Sequence, residues 1–190
     1  INLFDNGTLN KNDAVVIDKA VNDLNQLNYY LDDTTCISVE KIEEQLDLLS
    51  HNGQFSVVII DYFQLIKESK ENCSYVCKKL RAMAVKYDVP IVITSQIRRI
   101  LRDDPRPILH DVTGMGLPWD GFDNIWLLHR YDSASEDDFE VLHELEVYIV
   151  KTAAGPKGKY VFPFNKNSGK IYGFKNFDNC MYIEEESKFR

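Results

Sequence analysis

Residues 55–65 read FSVVIIDYFQL. Phe55 and the run Val57, Val58, Ile59, Ile60 are apolar with almost no alternation. That pattern suits a strand buried on both faces, in the middle of a parallel sheet with helices above and below. The run stops at Asp61. A carboxylate at the carboxyl end of such a strand sits where open α/β sheets bind ligands.

Asp61 then has two readings. It opens a turn as an ordinary strand-end Asp, or it holds the magnesium of a bound ATP, usually through water, as the Walker B Asp of P-loop hydrolases does. The pattern is short, so its neighbours have to decide. After a loop at residues 67–72, residues 71–87 carry the clearest helical period. Val76, Leu80, Met83, Ala84 and Tyr87 recur at steps of three and four, and Lys78, Lys79, Arg81 and Lys86 face out. Val89-Pro90 opens a second buried strand over residues 91–94, which ends at Ser95-Gln96. Strand, helix and strand make a right-handed crossover by default. Asp61 and Gln96 are thereby expected side by side at one sheet edge, on strands about 4.8 Å apart. Alone, Gln96 reads as a loop amide; the pair puts a carboxylate and an amide within reach of one phosphate group.

Upstream, Asn10 or Asn12 caps a helix running to residue 28 with the stripe Ile17, Ala20, Val21, Leu24, Leu27. Tyr29-Tyr30-Leu31 reads as a short strand. Ser38 caps a second helix with Val39, Ile42, Leu46 and Leu49 on one face, closed by Asn52-Gly53. Downstream, Arg98, Arg99, Arg102 and Arg106 form either a phosphate-touching loop or a solvated helix face. The stretch TGMGLPWDG at 113–121 is Gly-rich but lacks the Lys and Ser/Thr of a phosphate-cradling loop. An apolar strand at 124–129 ends at Arg130, residues 145–150 alternate up to Lys151, and 159–164 pairs with 170–174 as a hairpin. The expected fold is one α/β domain over residues 1–190. It has a mainly parallel sheet flanked by helices, a C-terminal antiparallel hairpin, and a loose tail over 176–190.

Charge and cysteines narrow the partners. A net charge of −8 argues against a broad, sequence-independent grip on nucleic acid, though not against local basic loops. The acidic excess at 135–146 and 184–186 reads as solvated surface. Cys36, Cys73, Cys77 and Cys180 form no CxxC pair and have no His at a matching spacing. Buried, reduced thiols in a cytoplasmic protein are expected rather than zinc. No run of roughly 20 apolar residues suggests a membrane span. The chain starts at Ile1, so it is expected to be part of a longer product.

Five segments, in order, resemble one family: IDYFQLI at 60–66, VPIVITSQIRR at 89–99, RPILHDV at 106–112, the strand ending in Arg130, and LEVYIVKTAAGPKG at 145–158. They are similar to the C-terminal motor domain of DnaB-type replicative helicases. Gly7-Thr8-Leu9 and YYLDDTTCIS at 29–38 fit the same family, so the likeness runs to about Phe174. The resemblance implies a RecA-like P-loop NTPase core in a ring hexamer. ATP and Mg2+ would bind between subunits, and single-stranded DNA would pass through the centre. A primase or a helicase loader is the further partner implied. By position, Asp61 matches the Walker B Asp holding Mg2+ through water, and Gln96 the sensor of the terminal phosphate. Arg130 matches a residue near the nucleotide, and Lys151 the basic group offered to a neighbour's ATP. Arg98, Arg99, Arg102, Thr113, Gly114 and Gly116 match the DNA-facing loops.

The departures carry weight too. The 190 residues contain no GxxxxGK(S/T), and in the family that cradle and the catalytic Glu lie upstream of the match to residues 7–9. The chain alone is therefore expected not to hydrolyse ATP. The family's arginine finger, two residues past the Lys in KxRxGP, falls on Ala153. Its DLRESG loop falls on DVTGMG, with Thr113 for Arg and Gly114 for Glu. A finger contributes about 10³–10⁵ in rate, so Lys151 or Lys157 would have to compensate. Two functions remain: part of an ATP-driven helicase, or a hydrolysis-deficient module that binds or regulates one. A RecA-type recombinase shares the fold but not the IDYxQL wording.

Overall fold

The computed structural model describes residues 10–53, 55–97, 103–113, 117–130, 142–166 and 168–173. Helix α1, Lys11–Asn25, begins at Asn10. Its side chain accepts from the N–H groups of Asn12 and Asp13, while the Asp13 carboxylate accepts from the Asn10 N–H. This reciprocal cap satisfies donors that the first turn leaves open. Helix α2, Val39–Asn52, begins where Ser38 Oγ accepts the Lys41 N–H at 3.2 Å. Helix α3, Cys73–Tyr87, is capped by Asn72 and stops at Asp88, whose φ of 54° is left-handed.

The helical stripes read from the sequence have unequal fates. Val39, Ile42 and Leu46 of α2 meet Val76, Leu80 and Met83 of α3 in the buried core. Charged pairs rim this seam: Lys79 and Lys86 reach Glu43 at 3.3 and 3.2 Å, and Lys86 reaches Asp47 at 2.8 Å. Such exposed pairs contribute about 0–1 kcal/mol each, so burial of the seam is what holds the helices together. The α1 stripe, by contrast, buries no residue, and Leu24 stays 61 % exposed.

Strands β1, Val58–Ile60, and β2, Ile91–Ile93, pair in parallel with Ile60 opposite Ile93, joined through α3 as the crossover requires. The expectation of burial on both faces is corrected. Val58, Ile60, Ile91 and Ile93 pack against the core, while Ile59 is 66 % and Val92 49 % exposed on the other face. Continuous apolarity marks strands able to be covered twice, and among the described residues one layer covers them. Tyr29-Tyr30-Leu31 is irregular and exposed rather than a strand. Its β-formers have no neighbouring strand to pair with among the described residues, and β-propensity acts through such neighbours.

The sheet is also less parallel than expected. β3, Ile125–Arg130, β4, Leu142–Lys151, β5, Gly158–Asn165, and β6, Lys170–Ile171, form an antiparallel sheet in sequence order. Parallel pairing needs a crossover, usually a helix, and the chain carries no helical period between Arg130 and Leu142. The predicted hairpin is present as β5–β6, with Phe164 opposite Ile171, and β4 and β3 extend it. Leu127, Tyr148 and Val150 turn inward to join the helical core. The short helix α4, Leu109–Thr113, supplies Val112 to the same core. The proposed loose tail at 176–190 lies outside the described residues.

Cys77 is buried, and burial above all pushes its thiol up to about 12; Cys73 is also raised, chiefly by burial. Thiolate is the reactive form. A maleimide reagent at pH 7.5 should therefore modify exposed Cys36 within minutes and leave Cys77 unmodified until denaturant is added. Peptide mass mapping reads both sites, and rapid modification of Cys77 in the folded protein would contradict the buried position.

Candidate functional site

The carboxyl ends of β1 and β2 form the best-defined polar constellation. Past the last paired residues, Ile60 and Ile93, the ladder continues: the Thr94 N–H donates to Ile60 O at 3.0 Å and the Phe63 N–H to Thr94 O at 2.9 Å. Asp61 thus lands beside Thr94, whose hydroxyl donates to Asp61 Oδ1. Asp61 is exposed, and its Oδ2 has no hydrogen-bond partner among the described residues. One oxygen anchored and one open to solvent suits a carboxylate that meets a hydrated cation. Magnesium prefers oxygen ligands and keeps several of its waters, so Asp61 fits outer contact with Mg2+. Among the described residues no group of three or more His, Cys, Asp or Glu is placed to hold a metal by itself.

Gln96 lies at the same edge, two residues beyond Thr94, with its side chain exposed. Its backbone is not loose. Gln64, in the 3₁₀ turn Phe63–Leu65, donates through Nε2 to Ser95 Oγ at 2.8 Å and to Gln96 O at 3.0 Å. The same amide accepts the Gln96 N–H through Oε1 at 3.3 Å. Asp61 and Gln96 share this sheet edge but not as direct neighbours: Thr94 lies beside Asp61, and Gln96 is held by Gln64. The sequence pattern singles out neither Thr94 nor Gln64. The available signal was a polar Gln inside the apolar run YFQLI.

The remaining candidates lie elsewhere. Arg130 ends β3 opposite Leu145, with its guanidinium 5.4 Å from the Phe164 ring centre. Lys151 ends β4 opposite Ile125, at the other end of β3. From Leu145 to Lys151 the strand runs roughly 20 Å at about 3.4 Å per residue, so Arg130 and Lys151 do not serve one phosphate within one chain. The Lys151 ammonium donates to the carbonyls of Trp119 and Asp120 at 3.1 and 3.3 Å and lies 5.2 Å from the Trp119 ring centre. Ala153 is exposed, with its N–H donating to Asn124 Oδ1 at 3.4 Å, and Lys157 is exposed in the β4–β5 turn. Thr113 is the last residue of α4. Arg98, Arg99, Arg102, Gly114 and Gly116 lie outside the described residues.

A second cluster escaped the sequence reading. Glu146, expected on solvated surface, is 3 % exposed. Tyr148 Oη donates to it at 2.6 Å and Lys159 Nζ at 2.8 Å, and Arg106 Nε is 3.6 Å away. Burial pushes its carboxyl up, but the Lys159 and Tyr148 hydrogen bonds and the two cationic charges outweigh this and hold it below its ordinary value. The cluster ties β4 and β5 to the segment leading into α4.

A family model described as the DnaB-like helicase C terminal domain matches residues 1–173. The chain belongs to the DnaB-like helicase C-terminal domain family. The Replicative DNA helicase DnaB of Geobacillus stearothermophilus is 30 % identical over 184 residues, covering 92 % of this chain and 40 % of that protein. A Probable replicative DNA helicase of Trieres chinensis is 29 % identical over 182 residues, 89 % of this chain and 40 % of its own length. The chain thus spans well under half of these curated relatives. Among solved structures, an ATPase domain superposes with a TM-score of 0.76 at 27 % identity, covering 88 % of this chain and 62 % of that one. A DnaB-like replicative helicase, described with its interactions with primase, gives 0.74 at 26 % identity, over 86 % of this chain and 42 % of that one. The fold is therefore RecA-like in the DnaB manner, with the parallel β1–β2 pair and the antiparallel β3–β6 sheet described above. DnaB-like helicases are nucleotide-dependent, and among the described residues no helix is long and apolar enough to cross a membrane.

Proposed function

We propose that this chain is the part of an ATP-dependent replicative DNA helicase that follows the phosphate cradle, working in the cytoplasm as a ring hexamer on single-stranded DNA. The observation that carries the reading is the parallel β1–β2 pair, which brings Asp61 and Gln96 to one sheet edge in a DnaB-family domain. Asp61 would hold Mg2+ through water, and the metal would offset the phosphate charge. Gln96 would present its amide to the terminal phosphate. Arg130 would lie near the chain's own nucleotide. Lys151, at the opposite strand end, would serve a neighbour's ATP after leaving the Trp119 and Asp120 carbonyls, with Lys157 beside it in the turn. Arg98, Arg99, Arg102, Thr113, Gly114 and Gly116 would face DNA, and a primase or helicase loader would join the ring.

The test is ATP hydrolysis by the full coding product with and without single-stranded DNA. Turnover stimulated at least severalfold by DNA is the expected result. Undetectable turnover alongside demonstrated ATP binding would overturn it. One observation favours a second reading, a hydrolysis-deficient module that binds or regulates a replication helicase. Ala153 falls on the finger position of the family motif, so that position offers no guanidinium to a neighbour.

A further inference from the structure

We propose that Gln64 is a positioning residue that locks the nucleotide edge of the sheet to the start of the arginine-bearing segment. The inference rests on the helicase reading for its catalytic consequence and on geometry for its structural part. The β1–β2 ladder runs out at Thr94, because past Tyr62 the first strand enters the Phe63–Leu65 turn, and the last ladder bond is the one from the Phe63 N–H to Thr94 O. Gln64 sits in that turn, and its side-chain amide replaces the missing backbone. It accepts the Gln96 N–H and donates to the Gln96 carbonyl, as a paired strand residue would, and donates also to Ser95 Oγ. Ser95 Oγ in turn donates to Gln96 O at 3.1 Å. Ser95 and Gln96 are both exposed. Without the clamp, water would compete for each of these groups and the segment would sample many conformations.

The consequence is directional. Gln96 keeps a fixed backbone and an exposed side chain, so its amide is presented from a rigid base. The chain enters the stretch holding Arg98, Arg99 and Arg102 one residue after Ile97. A shift at the Asp61 edge is then passed to that departure point through the Gln64 amide rather than lost in a flexible joint. Positional errors of about 1 Å at a reacting centre cost on the order of a hundredfold in rate, which sets the scale of the effect.

The test compares wild type, Gln64→Leu and Gln64→Glu in the full coding product. Gln64→Leu removes all three side-chain bonds. Gln64→Glu keeps an acceptor for the Gln96 N–H and loses both donated bonds, and it replaces Gln64→Leu should that variant fail to fold. Amide hydrogen exchange over residues 94–97 should speed up about tenfold or more in Gln64→Leu and less in Gln64→Glu, with exchange in α3 unchanged. ATP turnover should fall about ten- to a hundredfold in kcat with KM within twofold, and stimulation by single-stranded DNA should be lost. Unchanged exchange at 94–97 would overturn the clamp. Faster exchange with wild-type kcat and DNA stimulation would reduce Gln64 to a structural cap and overturn the positioning role. Absence of turnover in the wild type would fail the helicase reading and with it the catalytic consequence, while the exchange result would still decide the clamp.

Discussion

Glu146→Ala is expected to destabilise the folded protein by about 3–5 kcal/mol, the usual loss when one member of a buried ion pair is removed. The substitution strands Lys159, whose side chain is 12 % exposed and whose ammonium donates to Glu146 at 2.8 Å, and it leaves the Tyr148 hydroxyl without its acceptor. For a chain of this size, about 2–4 °C per kcal/mol puts the fall in Tm near 10 °C. Thermal melts read it, and a fall below 2 °C would show that the cluster carries no such weight. The double variant Glu146→Leu with Lys159→Met should recover part of the loss, since apolar replacement removes the uncompensated charge.

The same cluster gives a pH dependence whose sign is fixed. The folded carboxyl of Glu146 is held below its unfolded value by Lys159 and Tyr148 against the opposing effect of burial. Such a group stabilises the fold in full above the unfolded value, about 4.3. The contribution is lost as pH falls from there through the lowered folded value. Wild type should therefore lose its advantage over Glu146→Gln progressively below about pH 4.3.

Why this residue went unseen in the sequence is instructive. The stretch 145–150 alternates, and strand side chains of one parity share a face. Glu146, Tyr148 and Val150 have that parity, and all three are buried. The apolar set Leu145, Val147 and Ile149 has the opposite parity, so alternation and charge both point Glu146 toward solvent, and Glu is almost never buried unless paired. The partners that reverse the expectation, Lys159 and Arg106, come from β5 and from the segment before α4, and no local pattern announces them.

The legible parts were those with local causes. The period of α3, the caps at Asn10 and Ser38, and the parallel β1–β2 pair follow from short-range spacing and crossover geometry. Asp61 and Gln96 were found because strand ends are predictable places. Gln64 and Thr94 were missed because their work depends on how two strand ends overhang each other. The antiparallel β3–β4 pairing, the exposed face of Ile59 and Val92, and the irregular Tyr29 segment were missed for a related reason. Each depends on which neighbour is present, a non-local fact.

Asp61→Ala is expected to lower ATP turnover of the full coding product by about a hundredfold or more. Metal stabilisation of phosphoryl charge is worth several kcal/mol, and each 1.4 kcal/mol is tenfold in rate. Stability should change little, because Asp61 is exposed and, among the described residues, its carboxylate accepts a hydrogen bond from Thr94 alone. Substitutions at such sites usually stay within about 0.5 kcal/mol. The companion Thr94→Val separates the two oxygens of the carboxylate. It removes the anchor on Oδ1 and leaves Oδ2 for the metal, so turnover should drop far less and recover as Mg2+ is raised. Malachite-green assays across a Mg2+ titration read both variants. Asp61→Ala matters most because the two functional readings diverge there. A helicase needs the carboxylate for every turnover, whereas a module that binds or regulates a helicase ring works without it. Full activity of the Asp61→Ala product in a replication assay would therefore decide for the module. In that case Ala153 at the finger position would belong to a chain that does not fire a neighbour's ATP.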